Sequence, residues 1–543
     1  MMGAVVNSGL ASDDRRASGS MASDPQGMSG RIMRRMGQSP LTTLFLLSMI
    51  MAFVTRAWQF GNPVVQVDEQ LYLLIGDRVL KGAVPFVDIW DRKPCGIFLL
   101  YAAIRMLGGQ GIVQYQIVAT LFAGMTAFLI GAMALRLANL RGAAIAAGVY
   151  LLWLIIFDGS GGQTPVFYNL PVAGAGLLVL EATRRGTSNA KFLTFAALAM
   201  LAMGIALQIK YSAVFEGIFF GLFLLWNGRE RVGIGRALAW ALLWIALALL
   251  PTAAALGWYI AAGYGDAFLY ANFISIFQRG SWPVGTLLGR LFVFVKLASP
   301  LAICAFVEWR SRAQLPPESD SEAHARSFAL GWLAAAVVGL LLFGTYFDHY
   351  FLPVLVPLTL CCARILGRRD SWMVIRSARF EQRVPLAAVI VLVGIAIAAG
   401  TSLKRLKHRG KAAPVAEFAQ LLNQNLHGCL LVFEGDPILY QLTGACIPTR
   451  LAFPNHLNDD VEKGSLGLDP TEETRRIFRD VPPDIVVIND RPDSGYNVAT
   501  RQIAEAVLAR DYHIVGRQKI GSRVKIAYKR NAAIAAPAAE SGL

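Results

Sequence analysis

Apolar runs of membrane-spanning length recur from Leu41 to about Gly400 of this 543-residue chain. A bilayer core takes ~20 apolar residues per helix. Inside it every backbone N–H and C=O must be satisfied within the spanning structure, so runs of this kind form helices. The pattern excludes a water-soluble globular protein and a disordered one. Only 16% of the residues are charged and 55% are hydrophobic, against roughly a quarter charged in soluble domains. A formal net charge of +15 would suggest nucleic acid in a soluble chain. In a membrane chain it reports Lys and Arg retained on the cytoplasmic side, and no nucleic-acid partner is expected.

The expected spans are 41–60, 112–137, 143–157, 166–183, 192–207, 211–227, 237–262, 284–307, 327–345, 350–366 and 384–400, about eleven in all. No signal-peptide cleavage pattern follows the first, which is read as retained. The basic run Arg31, Arg34, Arg35 before it places residues 1–40, polar and disordered, in the cytoplasm. The basic clusters Arg136/Arg141, Arg184/Arg185/Lys191, Arg229/Arg231/Arg236, Arg310/Arg312 and Arg364/Arg368/Arg369 must then all face inward. Two short helices turning near Lys210 keep the second and third clusters on the same side. This parity leaves the 61–111 loop, Asp158 to Asn169, Lys210, the 263–283 loop, Tyr346 to Tyr350 and everything after 401 on the outer face.

Composition changes abruptly at Thr401. Residues 401–530 read as a small extracytoplasmic α/β domain, with strands at Cys429–Phe433, Asp484–Ile488 and Arg523–Tyr528 and a helix over 498–510. An Ala/Pro-rich tail, 531–543, is expected to be disordered. The six cysteines show no zinc-module spacing. Cys429 and Cys446 are the two in the outer domain. They can pair in an oxidising compartment, and a buried strand thiol at 429 is the alternative.

Polar residues concentrate in the first outer loop. Asp68 can cap a helix running to Lys81, with Gly82 as its terminator and Leu71, Leu74, Ile75 and Val79 forming an apolar face suited to lying on the membrane. A second helix is expected from Pro94 to Met106. Asp68, Glu69, Asp88, Asp91 and Lys93 are thereby gathered at the outer boundary, beside lipid. A helix N-terminus explains Asp68-Glu69 electrostatically. Five charges in a segment otherwise so apolar favour chemistry instead.

Asp68, Glu69 and Tyr72, followed by Asp91-Arg92-Lys93-Pro94, resemble the first outer loop of the C superfamily of glycosyltransferases. Within it the pattern is similar to bacterial family-39-type enzymes related to protein O-mannosyltransferases, lipid A aminoarabinose transferases and rhizobial galacturonosyl transferases. Those proteins show Asp-Glu and Tyr on a first outer helix and Lys-Pro-Pro opening a second; here Cys95 replaces the second proline. The aromatic/His cluster Tyr346-Phe347-Asp348-His349-Tyr350 before a late span extends the resemblance.

The resemblance implies an all-α polytopic membrane domain over 41–400, amphipathic helices in the first outer loop, and the appended α/β domain. It implies a multi-pass enzyme of the bacterial cytoplasmic membrane, a hexosyl- or pentosyltransferase working on the periplasmic face. The donor would be a sugar on a polyprenyl phosphate and the acceptor an envelope glycan, lipid or protein. Such a donor needs a cationic clamp at headgroup depth and a carboxylate to take the acceptor's proton. Asp68 is the implied base, and Glu69 supports it or binds a divalent metal ion. Tyr72, Asp88, Asp91, Lys93, Lys210 and His349 are the expected substrate-binding groups. Direct displacement predicts inversion at the anomeric carbon. The rival functions are a transporter or flippase for lipid-linked glycans, and a polymerase or ligase joining them. A transporter places its polar groups at the midplane, often with repeat symmetry, and neither feature is present in the sequence.

Overall fold

The computed structural model describes residues 39–311, 317, 319–377 and 380–531. The expected N-terminal segment lies outside these residues but for its last two, and the expected tail but for its first. Among the described residues, ten helices are long and apolar enough to cross a membrane. An eleventh, Leu140–Ile156, is shorter at 17 residues and buried along almost its whole length. Its small residues Gly142, Ala143, Ala146 and Ala147 let the neighbouring helices approach closely. The outer helices differ. Ile234–Ala261 buries little and turns Leu238, Leu242, Ile245 and Leu249 outward, the surface a helix presents to lipid.

Members of four of the five basic clusters, Arg136, Arg185, Arg231 and Arg364, are paired at one end of the bundle, and Arg312 lies outside the described residues. Arg136 pairs with Glu181, Arg185 with Asp320, and Arg231 donates to the Thr187 carbonyl. There Glu308 lies 2.9 Å from Arg326, and Arg364 lies 3.3 Å from Glu322. The turn between Asn189–Leu207 and Val214–Val232 falls at Lys210, as the charge parity requires. A hairpin of β1 (Trp372–Ser377) and β2 (Phe380–Pro385), not expected from the sequence, precedes the last long helix, Leu386–Arg409.

The loop 61–111 forms the helices Val67–Val79 and Cys95–Arg105. Two details differ from expectation. Gln66, not Asp68, caps the first helix: its side chain accepts from the Asp68 backbone N–H. Nor does that helix lie on the membrane by one face, because Glu69 to Asp77 are buried all round. The C-terminal region covers it, with Gln70 reaching Asp436 at 3.4 Å and the Ile438 N–H at 3.2 Å.

That region holds a four-stranded sheet in the order β3 (Leu430–Val432), β4 (Ile485–Asn489), β6 (Arg523–Arg530), β5 (Tyr512–Ile520). β3 and β4 run parallel, and the other pairs are antiparallel. The expected helix is present as Val498–Asp511. β5 was not expected. It is an edge strand of mostly exposed or half-buried residues with a register shift between Ile514 and Gly516, features that blunt an edge against further pairing and hide the alternation. Cys429 and Cys446 form a disulfide.

Candidate active site

The first turn of Val67–Val79 carries Asp68, half-buried, with Tyr72 one turn further along the same face. Asp68 Oδ2 accepts from Gln163 Nε2 at 3.2 Å. Burial raises its pKa, but Lys93, then His349, the Gln163 hydrogen bond and Lys210, hold the carboxyl below its usual range. Asp68 is therefore ionised at neutral pH, the form that can accept a proton.

Lys93 reaches this point from the turn before Cys95–Arg105. Its Nζ lies 3.4 Å from Asp91 Oδ1 and 5.5 Å from the centre of the Tyr72 ring. Burial alone would lower the Lys93 pKa; Asp91 and Asp68 raise it. Lys210 is almost fully buried, its Nζ 3.8 Å from the centre of the Tyr350 ring. The cation–π contact offsets part of the cost of burying an ammonium, which still lowers its pKa. His349 is buried in the 3-10 turn Asp348–Phe351, facing Asp68 and Lys210 electrostatically. Lys210 and Tyr350 line a small cleft of about 30 Å³ between helices, its walls including Phe215, Glu216, Leu340 and Phe343.

Two expected residues lie elsewhere. Glu69 follows Asp68 by one position and so points about 100° away around the helix. It is fully buried against the turn Gly159–Gly162, where a Cβ on Gly161 would overlap its carboxylate. Burial pushes the Glu69 carboxyl up to about 8, against the pull of the Gly162 N–H and Arg56. Asp88 is exposed and accepts from the Val84 N–H at 2.7 Å, closing a turn outside the cluster.

Several residues that organise the cluster carried no individual signal in the sequence reading. Gln163 is one. Arg56, buried at the C-terminal end of the first span, donates to the Gly161 carbonyl at 2.7 Å and to Thr120 at 3.1 Å. A lone arginine in an apolar run is the signal that could have found it. Arg409 holds the buried Asp158 through two hydrogen bonds of 2.8 and 2.6 Å, and Arg405 joins Asp158 to Asp348. Asp158 is thus committed to a structural ion pair.

Among the described residues no three His, Cys, Asp or Glu side chains come together to hold a metal ion. Glu69 fits that role poorly, because it is fully buried against the turn Gly159–Gly162 and points away from Asp68.

No protein-family model matches the chain, and no curated protein matches it by sequence. Solved structures do match. ArnT from Cupriavidus metallidurans in the apo state superposes with a TM-score of 0.62 at 16% identity, over 91% of this chain and 98% of that one. The same protein bound to undecaprenyl phosphate gives 0.60 at 16% identity, over 92% and 99%. An oligosaccharyltransferase from Archaeoglobus fulgidus gives 0.48 at 9% identity, over 83% and 69%. The chain has the ArnT-like fold, a polytopic helical membrane domain with a small C-terminal sheet region.

Proposed function

We propose that this chain is a membrane glycosyltransferase that moves a sugar from a polyprenyl-phosphate donor to an acceptor hydroxyl on the outer face of the cytoplasmic membrane. The observation that carries the reading is one ionised carboxylate, Asp68, beside two ammonium groups, the half-buried Lys93 and the buried Lys210. A soluble nucleotide-sugar enzyme needs a nucleotide fold. A lipid-anchored phosphate needs only cations near the membrane surface and apolar helices beside which its chain can lie; Lys93 and Lys210 are such cations, and Lys210 borders a cleft between helices.

The chemistry balances in one displacement. The acceptor oxygen bonds to the anomeric carbon as its proton passes to Asp68. The bond from that carbon to the phosphate oxygen breaks, and the leaving phosphate takes the electron pair. Lys93 and Lys210 neutralise the charge that develops there, the larger share of such catalysis in a water-poor site. Attack opposite the leaving group inverts the configuration. Tyr72 and Asp91 orient Lys93, and Glu69 supports the helix from below as a neutral, buried group. His349 lines the same space and contacts the donor sugar or the acceptor.

ArnT is a lipid A aminoarabinose transferase, and one of its structures holds undecaprenyl phosphate; the likeness of fold supports the same class of donor here. The Cys429–Cys446 disulfide supports an oxidising, extracytoplasmic location for the C-terminal domain, 401–530. The test is release of undecaprenyl phosphate from undecaprenyl-phosphate hexoses and pentoses by the protein in liposomes supplied with envelope extract. Acceptor-dependent release supports the reading. Movement of intact lipid-linked sugar between leaflets, with no release, would favour the flippase.

A further inference from the structure

Four consecutive residues before the second outer helix divide between two regions of the protein. Trp90 and Arg92 turn into the C-terminal domain, while Lys93 faces Asp68 and pairs with Asp91. Trp90 is a member of that domain's own hydrophobic core, packed with residues such as Leu431, Leu457 and Ile488, and its backbone N–H donates to the Arg450 carbonyl at 2.9 Å. Arg92 is clasped by Glu462 at both terminal nitrogens and by Ser465 Oγ at 2.7 Å. Glu462 also takes Arg279, from the 263–283 loop, at 2.8 Å. It is buried, and although burial raises its pKa, Arg92 and then Arg279 hold the carboxyl well below the usual range.

We propose that Glu462 is a positioning residue for the donor-phosphate lysine: by clasping Arg92, the C-terminal domain sets where Lys93 stands beside Asp68. The inference rests on the reading that Lys93 holds the donor phosphate, and it gives the C-terminal domain a part at the donor end of the reaction. A bidentate arginine–carboxylate pair is directional, so it fixes the chain on either side of Arg92. Lys93 is one residue away, with a flexible stem whose ammonium also meets Asp91 and the Tyr72 ring. Burying Trp90 anchors the segment; the Glu462 clasp sets its rotation.

The experiment is a double-mutant cycle on the full-length protein, read as the dissociation constant of undecaprenyl phosphate. Lys93→Met, Glu462→Gln and the double variant are compared with wild type, each checked for monodispersity in detergent and for an intact Cys429–Cys446 bond. Glu462→Gln is expected to weaken binding about tenfold, within the range of couplings between neighbouring groups. Lys93→Met should weaken it at least as much, and the double variant no further than Lys93→Met alone. If Glu462→Gln is not monodisperse, Arg92→Lys takes its place with the same expectation. Wild-type affinity in the Glu462 variant, or additive losses in the double, would overturn the inference and leave the role of Lys93 standing. An unaltered Lys93→Met would overturn the role of Lys93 and this inference with it.

Discussion

Gln163 Nε2 donates to Asp68 Oδ2 across 3.2 Å, joining the turn after the third span to the first outer helix. The bond favours the charged form of Asp68 and helps hold its pKa below the usual range. A base is lost as pH falls through its pKa, so a lowered pKa extends activity toward acid. Gln163→Leu should move the acid limb of the kcat/KM profile to higher pH. It should also reduce turnover about ten- to a hundredfold, as expected from ~1.5–3 kcal/mol for a hydrogen bond to a charged group. A pH–rate profile of the two proteins checks both effects.

Lys210 is expected to lose donor affinity on substitution while the fold survives. Lys210→Met retains stem length and removes the charge facing the phosphate. Dissociation constants for undecaprenyl phosphate should rise about tenfold or more, on the ~1.5–3 kcal/mol of a charged hydrogen bond. Tyr350→Phe preserves the ring face beneath the ammonium and should leave stability nearly unchanged.

How far the sequence reaches can be judged residue by residue. The spans were legible because a bilayer demands uninterrupted apolar runs, and the turn at Lys210 followed from charge parity alone. Asp68 and Lys93 were legible through their motif. Gln163, Arg405, Arg409 and Glu462 were not, because the contacts that matter here span 57 or more positions of chain and leave no local pattern. Arg409 lies in a helix that was expected to end near 400; it runs unbroken to Arg409. The helix Val67–Val79 was read as amphipathic because its cover, the loop around Asp436, lies some 360 residues away.

Glu69 should behave as a buried neutral group. Its pKa in the folded protein, about 8, lies above the ordinary 4.5. The folded state thus holds a proton that the unfolded state releases, and stability declines as pH rises from about 4.5 to 8. Glu69→Gln should flatten that dependence and impair transfer less than loss of the Asp68 charge does. Gly161→Ala should destabilise by about 1–3 kcal/mol through overpacking against the carboxylate. Thermal unfolding in detergent across this pH range reads both.

The outer location of the C-terminal domain has its own test. A reporter fused after Thr401 should behave as extracytoplasmic and one fused after Arg231 as cytoplasmic. Cys429 and Cys446 should resist thiol labelling in denatured, unreduced protein. Replacing both with Ser should remove about 3 kcal/mol on the chain-entropy account of a loop this short.

The central claim is that Asp68 removes the acceptor's proton. Asp68→Asn preserves the side chain's size, and the helix keeps its Gln66 cap, so chemistry is separated from folding. The direct measurement is single-turnover transfer from a purified polyprenyl-phosphate sugar by wild type and Asp68→Asn, with detergent monodispersity matched. A positioned base contributes ~10²–10⁴-fold, and the variant should insert and fold normally yet lose transfer by that factor. Near-wild-type turnover in well-folded Asp68→Asn protein would contradict the mechanism.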